Sequence, residues 1–132
     1  MDYLIVDMTR VLQESEHGKT AIASMRQLVE RSRKQEAALR AKFDKATGSA
    51  RRQAREQFFE FEEKRKKELD RRRDALQRAL VRLATTAAKA VAEEKGVTLV
   101  LERSAVLVYG ESFDVTEQVI ARVNAVKLGG GS

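Results

Sequence analysis

Turn signals are scarce in this chain, and their scarcity constrains the fold more than any other feature. Proline is absent from all 132 residues, and Gly48 is the only glycine between Gly18 and Gly96. Of the 78 residues from Gly18 to Lys95, 52 are Ala, Glu, Lys, Leu or Arg, a composition typical of long helices and coiled coils. The sequence therefore predicts two long helices joined by one reversal, with its tip at 47–50.

Apolar residues at helical spacing predict that these two helices pair as an antiparallel coiled coil. Spacings of three and four recur on both sides of the tip, as in a coiled-coil seam. The residues expected to form the core of this arm are Leu39, Phe43, Phe58 and Phe61. Phe59 lies about 100° away around the helix, so we expect it to be exposed. It either contacts a bound protein or packs on neighbouring side chains.

The middle of the arm is polar where the seam should be apolar. Ser32 and Glu36 occupy seam positions, and antiparallel pairing about Gly48 places them opposite residues 61–65 of the return helix. Two interpretations follow. The segment is either weakly packed and flexible, or static and held by an ion pair between Glu36 and Arg65.

β-branched residues collect at the two chain ends and predict strands there. Tyr3–Asp7 is expected to be a strand, and Val97–Glu102 and Ala105–Tyr109 are expected to be two more. Apolar side chains fall on both faces of the later strands, which indicates a cover on each side.

Two short helices complete this part of the chain. The first is expected after the opening strand, capped by Thr9 and interrupted at Gly18. The second is expected to begin at Asp114 or Thr116 and to present an apolar face.

The predicted fold class is thus α+β, a small β body with a long antiparallel coiled-coil hairpin inserted into it. We assign 1–20 and 84–128 to a β-rich oligomerisation body and 21–83 to the coiled-coil arm. The tail 129–132 is interpreted as an appended linker.

The body has only about 50 residues of its own, which is too few to bury enough surface alone. Pairing its strands with those of other subunits would cover the second apolar face and remove open sheet edges. The residues expected to build this oligomeric body are Leu4, Val6, Leu99, Val100, Leu101 and Leu107.

Charge is distributed unevenly along the chain. The formal net charge is +6. Residues 26–95 carry 21 Lys and Arg against 12 Asp and Glu, and the remainder carries 5 against 8. The helices are therefore basic and the two ends mildly acidic, which favours an anionic partner for the helices.

Several functional classes are excluded or disfavoured by composition. The chain has no Cys and one His, so it offers no disulfide, thiolate metal site or Cys-His pair. The single histidine, His17, is interpreted as a solvated loop residue beside Gly18. The chain has no glycine-rich phosphate loop and no nucleophile-base pair, so we predict a non-enzyme without metal or cofactor. No apolar run approaches 18 residues, so no membrane-spanning helix is predicted.

Short motifs occur in a characteristic order between about residues 3 and 127. They are Ile5-Val6-Asp7-Met8, Arg10-Val11-Leu12-Gln13-Glu14-Ser15 with Gly18-Lys19, the tip Gly48-Ser49, Glu94-Lys95-Gly96 before Leu99-Val100-Leu101, and Asp114-Val115-Thr116. In this order they resemble the Skp/OmpH family of periplasmic chaperones.

That resemblance implies a homotrimer with a central β-barrel body and three coiled-coil arms that enclose a cavity. Unfolded outer-membrane β-barrel proteins would be held there without ATP, which prevents aggregation during periplasmic transit. The arms are somewhat short for the family, which bears on cavity volume and client size. Periplasmic location implies that a signal peptide has been removed.

A cavity wall that holds such clients needs a cationic field and scattered apolar contacts. The residues expected to contact clients are Arg51, Arg52, Arg55, Phe59, Lys66, Arg72 and Arg73. An anionic membrane surface is a secondary partner of the same basic arms.

Two other classes of protein share parts of this pattern. A basic coiled-coil nucleic-acid-binding protein would explain the pI near 9.8, but acidic residues alternate with the basic ones and no helix-turn-helix or zinc spacing occurs. A scaffold or a prefoldin-like holdase also has long arms, but prefoldin places its strands between its two helices, whereas here the strands lie at the chain ends.

Overall fold

The computed structural model describes residues 2–127. Its elements are β1 (Leu4–Val6), α1 (Met8–Glu14), α2 (Glu16–Lys45), α3 (Gly48–Glu94), β2 (Val100–Glu102) and α4 (Thr116–Ala125), with 3-10 turns at Arg103–Ala105 and Glu111–Phe113. The described chain falls into two compact units. We call 2–22 with 77–127 the terminal unit and Ala23–Leu76 the middle unit. Long helices and one small sheet agree with the predicted architecture in outline.

The sheet of the terminal unit joins the two ends of the chain. β1 runs parallel to β2, with Leu4 opposite Val100 and Val6 opposite Glu102. A parallel pair needs a long crossover connection, which α2 and α3 supply in the sequence. The Val115 N–H donates to the Ile5 carbonyl at 2.9 Å, so the segment before α4 is also attached to β1.

The core of the terminal unit forms around β1. Its buried apolar side chains are Leu4, Val6, Val11, Ala84, Ala87, Ala88, Val91, Ala92, Val97, Val115, Val119, Ile120 and Val123. The contribution of α3 is mostly alanine, and small side chains let a helix backbone approach its neighbours closely. α4 presents its apolar face to this core, as predicted, and it starts at Thr116.

The break between α1 and α2 differs from the prediction. Asp7, not Thr9, caps α1, since its Oδ1 accepts from the Arg10 N–H at 3.2 Å. The helix breaks at Ser15, whose Oγ accepts from the Gly18 N–H at 3.0 Å in the manner of an N-cap. Gly18 lies inside α2 and is required for a different reason, because a Cβ there would overlap the Leu12 carbonyl oxygen.

The two glycines at the ends of α3 adopt left-handed backbone conformations. Gly48 has φ +61 and Gly96 has φ +68, a region that favours glycine. The Gly96 N–H donates to the Glu93 carbonyl at 3.2 Å and the Val97 N–H to the Ala92 carbonyl at 2.9 Å. This pair of bonds is a Schellman motif, and it ends α3 where the sequence predicted.

The prediction of a strand over Ala105–Tyr109 is wrong. Arg103–Ala105 forms a 3-10 turn, and no strand follows it within the described residues. The carboxylate of Glu102 accepts from the Ser104 N–H at 2.5 Å and from the Met8 N–H at 2.9 Å, and this turns the chain directly after β2.

Candidate functional site

Within the middle unit, α2 and α3 contact each other in opposite directions. The Arg51 guanidinium lies 4.7 Å above the centre of the Phe43 ring, and Lys42 Nζ lies 3.4 Å from Gln57 Oε1. Farther from Gly48, Arg65 pairs with Glu36. In these contacts, residues farther along α3 meet residues earlier in α2. The two helices therefore run antiparallel in this unit.

The four predicted arm-core residues, Leu39, Phe43, Phe58 and Phe61, are all half-buried. Ala54, one turn before Phe58 on α3, is buried. A pair of helices has water on both flanks of its contact, so large seam residues keep part of their surface exposed. This incomplete burial leaves apolar surface along the middle unit.

The polar middle of the arm contains an ion pair between Arg65 and Glu36, as the static interpretation requires. The two side chains are 27% and 26% exposed. Arg65 Nε is buried and has no hydrogen-bond acceptor among residues 2–127. The segment therefore combines a partly dehydrated ion pair with an unsatisfied donor, and neither packs as well as an apolar seam.

The predicted client-contacting cations lie exposed on α3, but several are already paired. Arg72 Nε lies 3.2 Å from Glu68 Oε1, and an Arg73 nitrogen lies 3.0 Å from Asp70 Oδ1. Hydrogen bonds from Arg71 and then Arg72 hold the pKa of Glu68 below its ordinary value. The middle unit keeps a net charge of +7, from 17 Lys and Arg against 10 Asp and Glu.

The other predicted client-contacting cations do not have the same surroundings as Arg72 and Arg73. Arg52 and Lys66 are exposed, and the Arg55 guanidinium lies 5.5 Å from the centre of the Phe59 ring. A cation over an aromatic face keeps its charge and most of its hydration while it orients the ring. Arg51, Arg52 and Arg55 contribute positive charge near the Gly48 turn, whereas Lys66 lies about 27 Å along α3 from Gly48 at 1.5 Å per residue.

Phe59 is exposed as expected, with 56% of its surface accessible. Its ring meets Phe58 edge-on at 6.4 Å between centroids. It also lines a groove of about 740 Å³ on the middle unit, which we call the Phe59 groove. Four of the residues that line this groove are apolar, namely Met25, Val29, Phe59 and Leu69.

The groove was not predicted from the sequence. Met25, Val29 and Leu69 recur at helical spacing, and that spacing does not reveal which flank of a two-helix pair stays open. The feature of the sequence that could have indicated the groove is the offset of Phe59 from the seam. One exposed aromatic residue next to seam residues marks the open flank.

The terminal unit places the predicted oligomer residues in three different environments. Leu4 and Val6 are fully buried in the core of this chain. Val100 and Leu101 are half-buried, and Leu99 and Leu107 are exposed. Leu107 is 99% exposed and its neighbour Val108 82%, so the apolar surface concentrates after β2.

His17 lies in the first turn of α2, so the prediction that it occupies a loop is wrong, although its side chain is partly exposed. Its Nε2 is hydrogen-bonded to the Val126 carbonyl, and the neighbouring Glu16 N–H donates to Asn124 Oδ1 at 2.7 Å. These bonds attach the end of α4 to the start of α2.

Metal ligands and membrane spans are both missing from the part of the chain that the structure describes. Among residues 2–127, His, Asp and Glu do not form a cluster of three or more that could hold a metal ion. None of the helices described over that range is both long and apolar enough to cross a membrane.

The fold described above is a small sheet that joins the chain ends, with two long helices inserted in sequence between the strands. A family model described as outer membrane protein (OmpH-like) matches residues 2–123. This match spans most of the chain, so the protein belongs to the Skp/OmpH family, as the sequence motifs indicated.

A solved structure supports the same fold. A Caulobacter crescentus protein described as an outer membrane chaperone (OmpH-like) is similar, with a TM-score of 0.63 and 20% sequence identity. The similarity covers 93% of this chain and 83% of that chain. No curated protein matches the chain significantly.

Proposed function

We propose that this protein is an ATP-independent holdase chaperone that binds unfolded outer-membrane β-barrel proteins and keeps them from aggregating in the periplasm. The observation that carries the proposal is the family match over residues 2–123. The description of the structural neighbour as an outer membrane chaperone supports the same function, and the OmpH-like family is not an enzyme family.

The surface chemistry of the middle unit suits this function. Its net charge of +7 attracts acidic chains over a distance of about 10 Å at moderate salt. Exposed Arg52 and Lys66 contribute to this field, and Phe59 adds an apolar contact beside them. A diffuse field with scattered apolar contacts binds many sequences weakly, which lets a client leave without an energy source.

The proposed assembly is a homotrimer in which the terminal units form the body and the helical arms enclose a cavity. The exposed Leu99, Leu107 and Val108 support association, because a small monomer seldom exposes contiguous apolar side chains without a partner. Anionic lipid headgroups are a secondary partner of the basic middle unit.

The test is suppression of aggregation. A urea-unfolded outer-membrane β-barrel protein is diluted into buffer without ATP, the full chain is titrated in, and light scattering is followed at low and high salt. We expect suppression that saturates near one client per small oligomer and weakens as salt screens the cationic surface.

Unchanged scattering at every ratio would contradict the proposal. A DNA mobility shift under the same salt series tests the nucleic-acid alternative. Strongly salt-dependent DNA binding at nanomolar protein, together with absent suppression, would favour that alternative.

A further inference from the structure

We propose that each copy of the chain inserts an apolar loop into a groove beside β2 of the next copy, so that the subunits join head to tail in a closed ring. The apolar loop is formed by residues 103–109, and we call the receiving site the β2 groove. The inference rests on the homotrimer of the proposed function and adds the contact that joins its subunits.

The apolar loop presents two exposed side chains on a closed base. Arg103 Nε donates to the Tyr109 hydroxyl at 3.0 Å, which joins the first and last residues of the loop. The Glu102 carboxylate fixes the turn at its start. Between these bonds, Leu107 is 99% and Val108 82% exposed. Because its ends are already held together, the loop loses less conformational freedom on binding than an open segment would.

The β2 groove lies between α3 and β2 within the terminal unit. Ala88 and Ala92 line it on α3, and their small side chains leave space beside the helix. Val97, Val100 and Leu101 line it on the other side. Both walls are therefore apolar, and burial of an apolar loop apex between them is favourable.

The groove also extends around a free edge of the sheet. Among the described residues, β2 pairs with β1 alone, so its other edge is open. Val100, Leu101 and Glu102 all line the groove, although successive side chains of a strand point to opposite faces. An open edge offers unpaired backbone groups to another chain, and the β-branched Val106 and Val108 favour the extended backbone that would pair with it.

Charges beside the groove and beside the loop are complementary. Lys89 and Glu93 line the groove one turn apart on α3, whereas Arg103 begins the loop and Glu111 follows it. None of these four side chains forms an ion pair among residues 2–127. Each surface thus offers one cation and one anion to the other. In this arrangement Lys89 faces the partner's Glu111 and Glu93 faces the partner's Arg103, and such pairs at the rim of a contact fix its orientation more than its affinity.

The occupant is a second copy because the loop of a chain does not enter that chain's own groove. Leu107, at 99% exposure, contacts almost nothing in its own chain. Each chain therefore carries one loop and one groove, on different surfaces. A contact between two different surfaces repeats from copy to copy and closes into a ring when the rotation allows it. Three such contacts account for the proposed homotrimer.

The experiment mixes two variants of the full chain, each with one defective surface. Leu107→Asp places a charge at the apex of the loop, and Thr85→Trp adds a bulky side chain at an exposed position that lines the groove. Thr86→Trp is the matched control, since Thr86 is also exposed on α3 but lies outside the groove. One variant is labelled with ¹⁵N, so native mass spectrometry counts the copies of each variant in every oligomer. Circular dichroism checks folding, and Thr98→Trp, also at an exposed position that lines the groove, replaces Thr85→Trp if that variant does not fold.

We expect Leu107→Asp and Thr85→Trp each to associate at least about tenfold more weakly than the unmodified chain, as variants at the centre of a contact do. Thr86→Trp should associate normally. An equimolar mixture of the two defective variants should form pairs with one copy of each, because the intact loop of Thr85→Trp enters the intact groove of Leu107→Asp.

Reversing two charges tests the orientation. Lys89→Glu and Glu111→Lys should each weaken association about two- to fivefold, as the loss of an ion pair at the rim does. The two substitutions together should restore association. A double variant that associates no better than the single variants would overturn the arrangement.

A mixture without mixed pairs would overturn the proposal, and so would equal losses of affinity between copies in Thr85→Trp and Thr86→Trp. A dimeric mass for the unmodified chain would replace the ring by a reciprocal exchange between two copies and overturn it as well. If mixed pairs fail to form while the unmodified chain still suppresses client aggregation, the contact alone is overturned. If mixed pairs form but the unmodified chain suppresses no aggregation, the proposed function is overturned instead.

Discussion

At the scale of single residues, Gly18 shows how the close approach of a backbone atom restricts which amino acid can occupy a position. It lies inside α2, where glycine is otherwise unfavourable, and a Cβ there would overlap the Leu12 carbonyl oxygen. Gly18→Ala should lower the free energy of unfolding by at least about 2 kcal/mol, because a backbone oxygen cannot move aside as a side chain can. Urea unfolding monitored by circular dichroism measures this.

Gly110→Ala is the control for that substitution. Gly110 has an ordinary φ of −79, and a Cβ there would meet only the Phe113 ring at 3.3 Å. We expect a much smaller loss of stability. Equal losses of unfolding free energy in the two variants would show that the close approach of the Leu12 carbonyl to Gly18 does not cause the destabilisation.

Glu102 makes the stability of the terminal unit dependent on pH. Burial raises the pKa of its carboxyl group, but hydrogen bonds from Ser104 and from the Met8 N–H outweigh burial and lower the pKa below its ordinary value. A lowered pKa in the folded state gives stability that is present above the unfolded value near 4.3 and is lost as pH falls through the folded value.

Replacing Glu102 by Gln removes the ionisation and should flatten the fall in unfolding free energy below about pH 4. A series of urea titrations between pH 3 and 7 measures the slope. Glu93→Gln, at an exposed position on α3, controls for the loss of one surface carboxylate and should have the smaller effect. If both variants keep the slope of the unmodified protein, Glu102 is not its source.

Sequence reasoning succeeded at residues whose role is local and failed at those whose role is tertiary. Gly96 was predicted to end α3 because the Schellman motif depends on nearby backbone alone. Thr9 was misassigned as the cap although Asp and Ser, the residues that cap α1 and α2 here, rank above Thr at helix N-termini. Gly18 was misassigned because no sequence pattern records the close approach of the Leu12 carbonyl oxygen.

At the scale of elements, the contact between α2 and α3 has a polar middle, where Arg65 pairs with Glu36. Replacing Glu36 alone by Leu leaves the Arg65 cation partly dehydrated without its partner. We expect a loss of about 1–3 kcal/mol, less than for a fully buried pair because both side chains are about one quarter exposed. Urea unfolding of the full chain measures it.

The double substitution Glu36→Leu with Arg65→Leu should restore stability to the unmodified level or above, because an apolar seam replaces a dehydrated pair. Hydrogen exchange of amides 28–40 should slow in the double variant if the polar middle is what makes this segment flexible. Unchanged exchange and an unchanged range of bound clients would contradict the flexible interpretation.

The strand predicted at Ala105–Tyr109 illustrates a limit of predicting secondary-structure elements from sequence. Val106, Val108 and Tyr109 have high strand propensity, but a strand also needs a hydrogen-bonded neighbour. In this chain a 3-10 turn follows β2 directly, and none of the described strands pairs with residues 106–109. The long helices were predictable because all of their backbone hydrogen bonds are local.

At the scale of the whole molecule, the apolar segment after β2 connects the fold to the proposed assembly. Leu107 is 99% exposed, so replacing it by Asp should cost the isolated chain almost nothing. If neighbouring subunits cover it, the buried charge should shift the assembly toward monomers at micromolar protein. Sedimentation equilibrium measures the mass.

Val81→Asp provides the comparison, since that exposed position lies on α3 away from the segment. It should leave the mass of the assembly unchanged. An oligomer of the same mass in Leu107→Asp would mean that this segment lies outside the subunit contacts.

The distribution of charge and the order of motifs were predictable from the amino-acid sequence alone, because both are properties of the linear chain. The pairing of Arg72 with Glu68 and of Arg73 with Asp70 was predictable in the same way, because residues three and four apart share a face of a helix. The open flank that forms the Phe59 groove was not, because it depends on how α2 lies against α3.

The parallel pairing of β1 with β2 also determines an order of events as the chain emerges. Leu4 hydrogen-bonds within a sheet whose second strand begins 96 residues later, at Val100. The middle unit, by contrast, is complete at Leu76, and contacts between near neighbours form faster than distant ones. Until β2 follows, the growing chain lacks the strand that pairs with Leu4, Ile5 and Val6. At that stage an unpaired apolar strand makes this protein resemble the aggregation-prone chains that it is proposed to protect.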